Sequence, residues 1–581
     1  MPLEGAARVV GELASHGYNA EREAVTLIAR AEDPDATLRA VVDAADDGAI
    51  KITADDVRAV RESLSAEGTG GRSTRSTGGR GRTSSSAESV EKAEAPASES
   101  DASAFKSEAS ASKSEAAVSQ AEASADSAGT QTAAENTDAT TTASDRNPSV
   151  STGDASTGTQ NPTDTPPETG GSFERSVDDS LRSVEIAGDV TGQSTGTGEY
   201  DDFVTVFRDR YDKLSAKLRG RVNHRPTSAI ESMPGGSEVA LVGMVNDIRS
   251  TASGHWLVEL EDTKGTFPCL VMKDRDIAQL VEELLCDEVI AIEGTLSDDA
   301  GIVFVDSLYF PDVPRTYEPS YADRHVQAAL ISDVHVGSQE FMHDEWDQFC
   351  NWLHSPEAEH VEYMLIAGDM VEGVGVYPNQ DEELDVVDIY EQYESFNEKL
   401  KQVPGDLEIV MIPGNHDAVR LAEPQPGFDE ELRNIMSAHD ARITGNPSTV
   451  TIEGVSVLMY HGVSLDEVIA ELPEDKASYD EPHKAMYQLL KKRHVAPQYG
   501  GHTRVAPEEK DYLVIDDVPD IFHTGHVHKL GFGKYHNVLA INSGCWQSQT
   551  DFQKSVNIQP DAGYAPIVDL DTLDVTVRKF S

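Results

Sequence analysis

The sequence predicts a multidomain chain: a small β-barrel followed by a layered α/β domain, with a small helical module held ahead of both on a long tether. Three observations predict it. At 581 residues the chain is too long for one hydrophobic core to fill it. Between Gly68 and Gly171 there is no Leu, Ile, Met, Tyr or Trp, and Phe105 is the only aromatic residue. After that break the apolar pattern runs first as short strands and then, from about His325, as apolar strands alternating with helical stretches.

Residues 1–66 read as the helical module. Val9, Val10 and Leu13 form one apolar stripe, Val25, Leu27 and Ile28 a second, and Leu38, Val41, Val42 and Ala45 a third. "TADDVRAVRESL" starts a further helix, with Thr53 as N-cap and acidic residues in its first turn. Residues 67–172 cannot bury enough apolar area to offset their ordering entropy, so a disordered linker is expected there. Its start, "GGRSTRSTGGRGR", is locally basic. Residues 173–224 form a helical lead-in, in which Phe203, Phe207, Tyr211, Leu214 and Leu218 keep one apolar face. Residues 225–315 hold five short strands, with a helical "DIAQLVEELL" between the third and the fourth, which is the order of an OB-fold barrel. Such barrels often hold single strands on stacking aromatics in a basic groove. These strands offer little beyond Trp256 and Phe267 and are acidic, so docking to a protein is at least as well supported. Residues 325–581 form the α/β domain.

The charge is extreme, with 103 acidic against 47 basic residues and a formal net charge of -56. The excess pervades the folded-looking segments and resembles a halophilic surface rather than an interaction tail. At molar salt the Debye length is about 3 Å, so this charge argues little against a nucleic-acid substrate. The four cysteines (Cys269, Cys286, Cys350, Cys545) are widely spaced, which fits buried thiols in a reducing compartment and not a disulfide framework or zinc ribbon. No window reaches 18 consecutive apolar residues and no leader pattern opens the chain, so a cytoplasmic protein without a membrane partner is expected.

The chemistry sits at strand ends. "VQAALISDVHVGS" ends in Asp333 and His335, and "VEYMLIAGDMVEG" in Asp369. "LEIVMIPGNHDAVR" ends in Asn415, His416 and Asp417, "VSVLMYHG" in His461, and "VPDIFHTGHVH" in His526 and His528. Five apolar strands therefore finish in Asp, Asn or His beside glycine or another small residue. In an α/β sheet such ends gather on one edge, where ligand sites form.

This set resembles the calcineurin-like metallophosphoesterases, in which D-x-H, GD, GNHD, a later H and GHxH assemble a two-metal centre. The resemblance implies a four-layer β-sandwich flanked by helices. It implies that Asp333, His335 and His528 hold one divalent ion, that Asn415, His461 and His526 hold a second, and that Asp369 bridges them. Mixed carboxylate and imidazole ligation suits Mn, with Fe, Ni, Zn or Mg as alternatives. His416 would act as general acid or charge stabiliser at the leaving oxygen, and Asp417 would orient its ring. His523 matches no ligand position. Arg420 and Lys529, just after GNHD and GHVH, are candidate phosphate or DNA contacts.

A barrel directly ahead of such a domain resembles the small subunit of archaeal family D DNA polymerase. "HVAPQYGGHTRVAPEEKDYLVIDDVPDIFHTGHVH" and "INSGCWQSQTDFQKSVNIQPDAGYAPIVDLDT" extend that resemblance over roughly residues 180–581. It implies a metal-dependent 3′-to-5′ DNA exonuclease that proofreads for a separate, larger polymerising subunit in a heterodimer or heterotetramer. DNA, and a sliding clamp, are further implied partners. Two other readings stand beside it: a stand-alone nuclease or phosphodiesterase, which would not need the barrel, and a catalytically silent structural subunit like the eukaryotic B subunits.

Overall fold

A computed structural model describes residues 19–20, 24, 27–28, 31, 34–44, 51–52, 57–58, 60–61, 175, 177–194, 196–377, 380–501, 503–555 and 557–580. The linker expected over 67–172, the stripe at Val9, Val10 and Leu13, and the cap at Thr53 lie outside the described residues. The N-terminal module is not helical throughout. Its strands β1 (Asn19–Ala20) and β2 (Lys51–Ile52) pair in parallel, with helix α1 (Pro34–Ala44) between them in sequence. Leu38 and Val41 of α1 are buried, as the third stripe requires. Residues 55–147 separate as a second unit, of which Val57, Arg58, Val60 and Arg61 are described and helical.

The lead-in also departs from a purely helical reading. Strand β3 (Val184–Ala187) precedes helix α2 (Tyr200–Arg219) and pairs far along the chain. Helix α2 starts where the Asp202 carboxylate accepts the Glu199 N–H at 2.8 Å, and Lys217 and Arg219 occupy its last turn, both favourable to the helix dipole. Its face of Tyr211, Leu214 and Leu218 packs on Ala240, Val242, Val289 and Ala291. Those four belong to the outside of a closed barrel built of β4 (Glu238–Ser250), β5 (Trp256–Asp262), β6 (Gly265–Val271), β7 (Val289–Leu296) and β8 (Val303–Tyr309). The strand order is β4-β5-β6-β8-β7, and closure leaves no open edge. Alternation along β4 sends Leu241 inward to Leu260, Phe267 and Ile292 while Ala240 and Val242 face α2. Phe267 is thus core and Trp256 packs against it; of the barrel's large aromatics, Phe304 is the exposed one. The helix between β6 and β7 shortens to Ala278–Val281.

The C-terminal domain stacks two six-stranded sheets between helices. The first contains β9 (Gln327–Ile331), β10 (Val361–Ala367), β11 (Glu408–Ile412) and β12 (Arg442–Ile443), all parallel. The second includes β13 (Ser448–Ile452), β14 (Val455–Met459), β15 (Ile521–Thr524), β16 (Leu530–Tyr535) and β17 (Val538–Ser543), and β3 pairs with β13 at its edge. Strands β18 (Tyr564–Asp569) and β19 (Asp574–Lys579) return to the first sheet beside β9. Every residue of β10 is buried, which explains why "VEYMLIA" is apolar without alternation. One core lies between the sheets (Leu330, Leu365, Val410, Val457, Ile521). A second joins the first sheet to α3 (His343–Leu353) and α4 (Ile389–Leu400) through Trp346, Phe349 and Phe396. A third joins the second sheet to α5 (Ser464–Glu471) and α6 (Pro482–Lys492) through Leu465, Met486 and Leu489. The layers run helix, sheet, sheet, helix.

Buried ion pairs fasten the barrel to this domain. Arg210 on α2, fully buried, donates to Asp511 at 2.7 Å, and His494 meets the same carboxylate at 2.9 Å. Lys492 pairs with Glu288 at 3.4 Å and Lys491 with Glu283 at 2.5 Å.

Candidate metal centre

Because β9, β10 and β11 run parallel, their C-terminal ends deliver Asp333, His335, Asp369 and Asn415 to one edge of the first sheet. Parallel β14 and β15 bring His461, His526 and His528 to the facing edge of the second. Five of these seven residues, Asp333, His335, Asp369, His526 and His528, have positive φ between 51° and 71°. Non-glycine residues rarely adopt that region, and such strain gathers at functional sites. Two glycines permit the approach. A Cβ on Gly414 would meet Asp369 Oδ1 at 2.2 Å, and one on Gly525 would meet Asp333 Oδ2 at 2.2 Å.

The side chains form two adjoining groups. Asp333, His335 and His528 present ligand atoms within 4.8 Å of one another, as do Asp369, His461 and His526. His335 Nε2 lies 3.0 Å from His528 Nε2, which lies 3.4 Å from Asp333 Oδ1. Two ring nitrogens this close must share one proton or one cation. In the second group His461 Nε2 lies 2.9 Å from Asn415 Oδ1 and 3.1 Å from Asp369 Oδ2. Its Nδ1 donates to the Ala367 carbonyl at 2.8 Å, which fixes the ring with Nε2 toward the site. Asp369 Oδ2 is also 3.9 Å from His335 Nε2, so this carboxylate stands between the groups. His526 uses Nε2 on Asp466 at 3.0 Å, leaving Nδ1 for the site. Burial opposes protonation of His461, but the adjacent Asp369 carboxylate overrides it and pushes the ring up to about 10. Asp369 itself, despite the cost of burial, is held well below the usual carboxylate range by His461 and His416.

His416 is partly exposed, and its Nδ1 donates to the Glu372 carbonyl at 2.7 Å, which frees Nε2 for the cleft it lines. The expected hydrogen bond from Asp417 to this ring is not formed. The buried Asp417 carboxylate accepts instead from the Gly414 N–H at 2.8 Å and the Tyr393 hydroxyl at 2.9 Å, so it shapes the loop behind Asn415. Burial, reinforced by Asp369, raises it to about 7. Arg420 is spent on the fold: its guanidinium donates to Ser194, Glu508 and the carbonyls of Ala422 and Pro424. Lys529 lies 3.8 Å from Asp480 and 4.0 Å from Asp561. His523 is fully buried against the Ser543 hydroxyl at 3.1 Å, and burial drives it down to about 3, so it is a neutral core ring.

The cleft has a volume of about 160 Å³ and is lined by His335, Asp369, His416, His526 and His528 together with Tyr377, Tyr479 and Phe552. Among the described residues that line it, none is Lys or Arg.

Residues 328–532 match the family model for the B subunit of DNA polymerases alpha and epsilon. The chain is 61% identical, over the full length of both, to the DNA polymerase II small subunit of Halobacterium salinarum. It is 43% identical over 401 residues to that of Archaeoglobus fulgidus, covering 67% of this chain and 80% of the relative. It is 38% identical over 387 residues to that of Pyrococcus furiosus, covering 64% and 62%. The chain belongs to the DNA polymerase II small subunits.

The residues that orient the cluster escaped the sequence reading. Glu372 Oε2 lies 2.9 Å from His335 Nδ1, off the line of a good hydrogen bond, and accepts from Gln547 at 2.6 Å. Burial works against its charge, but His335 and His416 hold it down at about 2. Gln553 contacts His528 Nδ1 at 3.0 Å. A carboxylate three residues after the "GD" was the one signal available for Glu372; Asp466 and Gln553 lie on helical segments and carried none.

Proposed function

We propose that the chain is the 3′-to-5′ exonuclease subunit of an archaeal replicative DNA polymerase. In this reading it hydrolyses the terminal phosphodiester of single-stranded or mispaired DNA 3′ ends and assembles with a larger subunit that carries synthesis. The observation that carries the reading is the convergence of seven ligand-type side chains from five strand tips, five of them in strained backbone, with no Lys or Arg among the described lining residues to neutralise them. The helix–sheet–sheet–helix domain is read as a calcineurin-like phosphoesterase and the closed barrel as an OB fold. The barrel has little aromatic surface, which favours contact with the larger subunit over contact with DNA.

The donor set fits a pair of divalent ions. Asp333, His335 and His528 would hold one, Asn415, His461 and His526 the other, with Asp369 shared; manganese suits the mixed oxygen and imidazole donors, with Fe, Ni, Zn or Mg as alternatives. Such a pair supplies Lewis acidity and acidifies water toward neutral pH. The protein's own contribution is orientation. Glu372, Asp466, Gln553 and the Ala367 carbonyl face four of the rings, and His416, with both ring nitrogens protonated, would offer its Nε2–H to the leaving 3′ oxygen as hydrogen-bond donor or acid. Since Arg420 is engaged elsewhere, Lys529 is the remaining candidate phosphate contact.

The test is digestion of a primer with a mispaired 3′ terminus, by the chain alone and with its larger subunit, in manganese and after chelation. Release of the mispaired nucleotide that stops on chelation and returns with manganese is expected. Preference for a small cyclic nucleotide, or no hydrolysis at all, would overturn the reading in favour of a stand-alone phosphodiesterase or a silent scaffold.

A further inference from the structure

We propose that Phe552, backed by Tyr377, is the shelf on which the terminal nucleobase of the DNA end stacks; this rests on the hydrolytic reading of the cleft given above. The cleft, at about 160 Å³, is roughly half the smallest pockets that enclose a whole small molecule, which begin near 300 Å³. A phosphodiester fits inside it, and the base must lie at the rim. Phe552 sits at that rim, 46% exposed, on the short helix Asp551–Ser555. Its ring stacks on Tyr377 at 5.1 Å and 25°, which covers one face, and among the described residues no other ring stacks on it. Tyr377 is tethered through its hydroxyl, whose single proton is shared between Glu372 at 3.1 Å and Glu383 at 3.2 Å.

The shelf is indexed to the reacting groups on both sides. Tyr377 lies 6.3 Å from the His416 ring, and the Glu372 it grips is the carboxylate beside His335. The segment that displays Phe552 also reaches His528 through Gln553, whose N–H is pinned by the Thr550 hydroxyl at 3.1 Å. An exposed phenylalanine at the mouth of a polar cleft thus stands on a segment that is tied to the candidate ligands through Gln553 and Tyr377. Stacking on a hydrocarbon ring is tolerant of base identity, as an enzyme that must remove any misplaced nucleotide requires.

The experiment uses the full-length chain and a single-stranded oligonucleotide carrying 2-aminopurine at its 3′ end, first without activating metal and then in manganese. Bound to wild type, the fluorophore should be quenched by stacking. Phe552→Ala should lose the quenching and weaken binding about tenfold or more, and Phe552→Tyr should restore both. In manganese, replacing the terminal base by an abasic sugar should raise KM in wild type by a similar factor and add nothing further in Phe552→Ala. Unquenched fluorophore on wild type, independent penalties for ring and base, or a Phe552→Ala defect confined to association with the larger subunit would overturn the shelf. Quenching without hydrolysis would keep the shelf and sink the exonuclease reading instead, so the two failures are distinguishable.

Discussion

Asp511 and Asp369 are both buried carboxylates beside a histidine, one at the junction of barrel and α/β domain, the other at the strand tips. At the junction the chain supplies its own cation: Arg210 reaches Asp511, and Lys491 and Lys492 answer Glu283 and Glu288 nearby. His494 therefore stays neutral, driven down to about 4 by burial and by Arg210. At the tips no Lys or Arg is among the described residues lining the cleft, and the ring beside Asp369 is pushed the other way, up to about 10. The same residue pair is structure where Arg or Lys neutralises the carboxylate, and a candidate metal site where imidazoles alone face it. The backbone separates the charged groups themselves: five of the seven tip residues have positive φ, whereas Arg210, Asp511 and His494 do not, and at the junction that region is taken by their neighbours Asp287 and Arg493.

The comparison can be broken at either end. The largest effect is expected for His416→Ala, which should lower the hydrolysis rate by about 100- to 10,000-fold while two manganese ions still bind by calorimetry. An undiminished rate would remove His416 from the chemistry. At the junction, Arg210→Ala leaves the buried Asp511 carboxylate with His494 alone against it and should cost up to about 3–5 kcal/mol in urea unfolding, with metal stoichiometry unchanged. Replacing the pair together, Arg210→Met with Asp511→Leu, should recover most of that loss. Glu372→Gln keeps the shape but removes the charge that faces His335, and should weaken manganese binding about 10- to 100-fold without unfolding the chain.

The smallest effect is a pH drift confined to the junction. His494 has its folded pKa depressed to about 4 from 6.5, so its contribution is complete above pH 6.5 and is lost as pH falls through 4. Asp511, depressed chiefly by His494 and Arg210 against the cost of burial, keeps its contribution above 3.8 and loses it below. Both slopes have the same sign, whereas Asp417, raised to about 7, and Glu423, raised to about 8, slope the other way, so the readout is a difference: the gap in urea midpoint between wild type and Arg210→Ala should narrow from about pH 7 to 4. A gap that widens over that range would contradict the assignment.

The tips were legible because each follows an apolar strand and ends in a chelating residue next to a small one, so local pattern and chemistry coincide there. What was not legible depends on distant partners. Strand β3 is four residues long and largely exposed, so it shows no alternation and exists only through pairing with β13. Asp417 closes the GNHD stretch and Arg420 follows it closely, yet their partners, Tyr393 and Glu508, are fixed by tertiary packing. Glu372 stood in plain sight after "GD", but the rings it serves come from two other strand ends. Trp256 and Phe267 were the few aromatics the barrel strands offered for stacking, and closure turned Phe267 inward and packed Trp256 against the barrel core.

The most direct measurement is anomalous diffraction from a crystal of the protein soaked in manganese. Two peaks are predicted, one enclosed by Asp333, His335 and His528 and one by Asn415, His461 and His526, with Asp369 reaching both. No peak among these strand tips, or peaks held by other residues, would contradict the account.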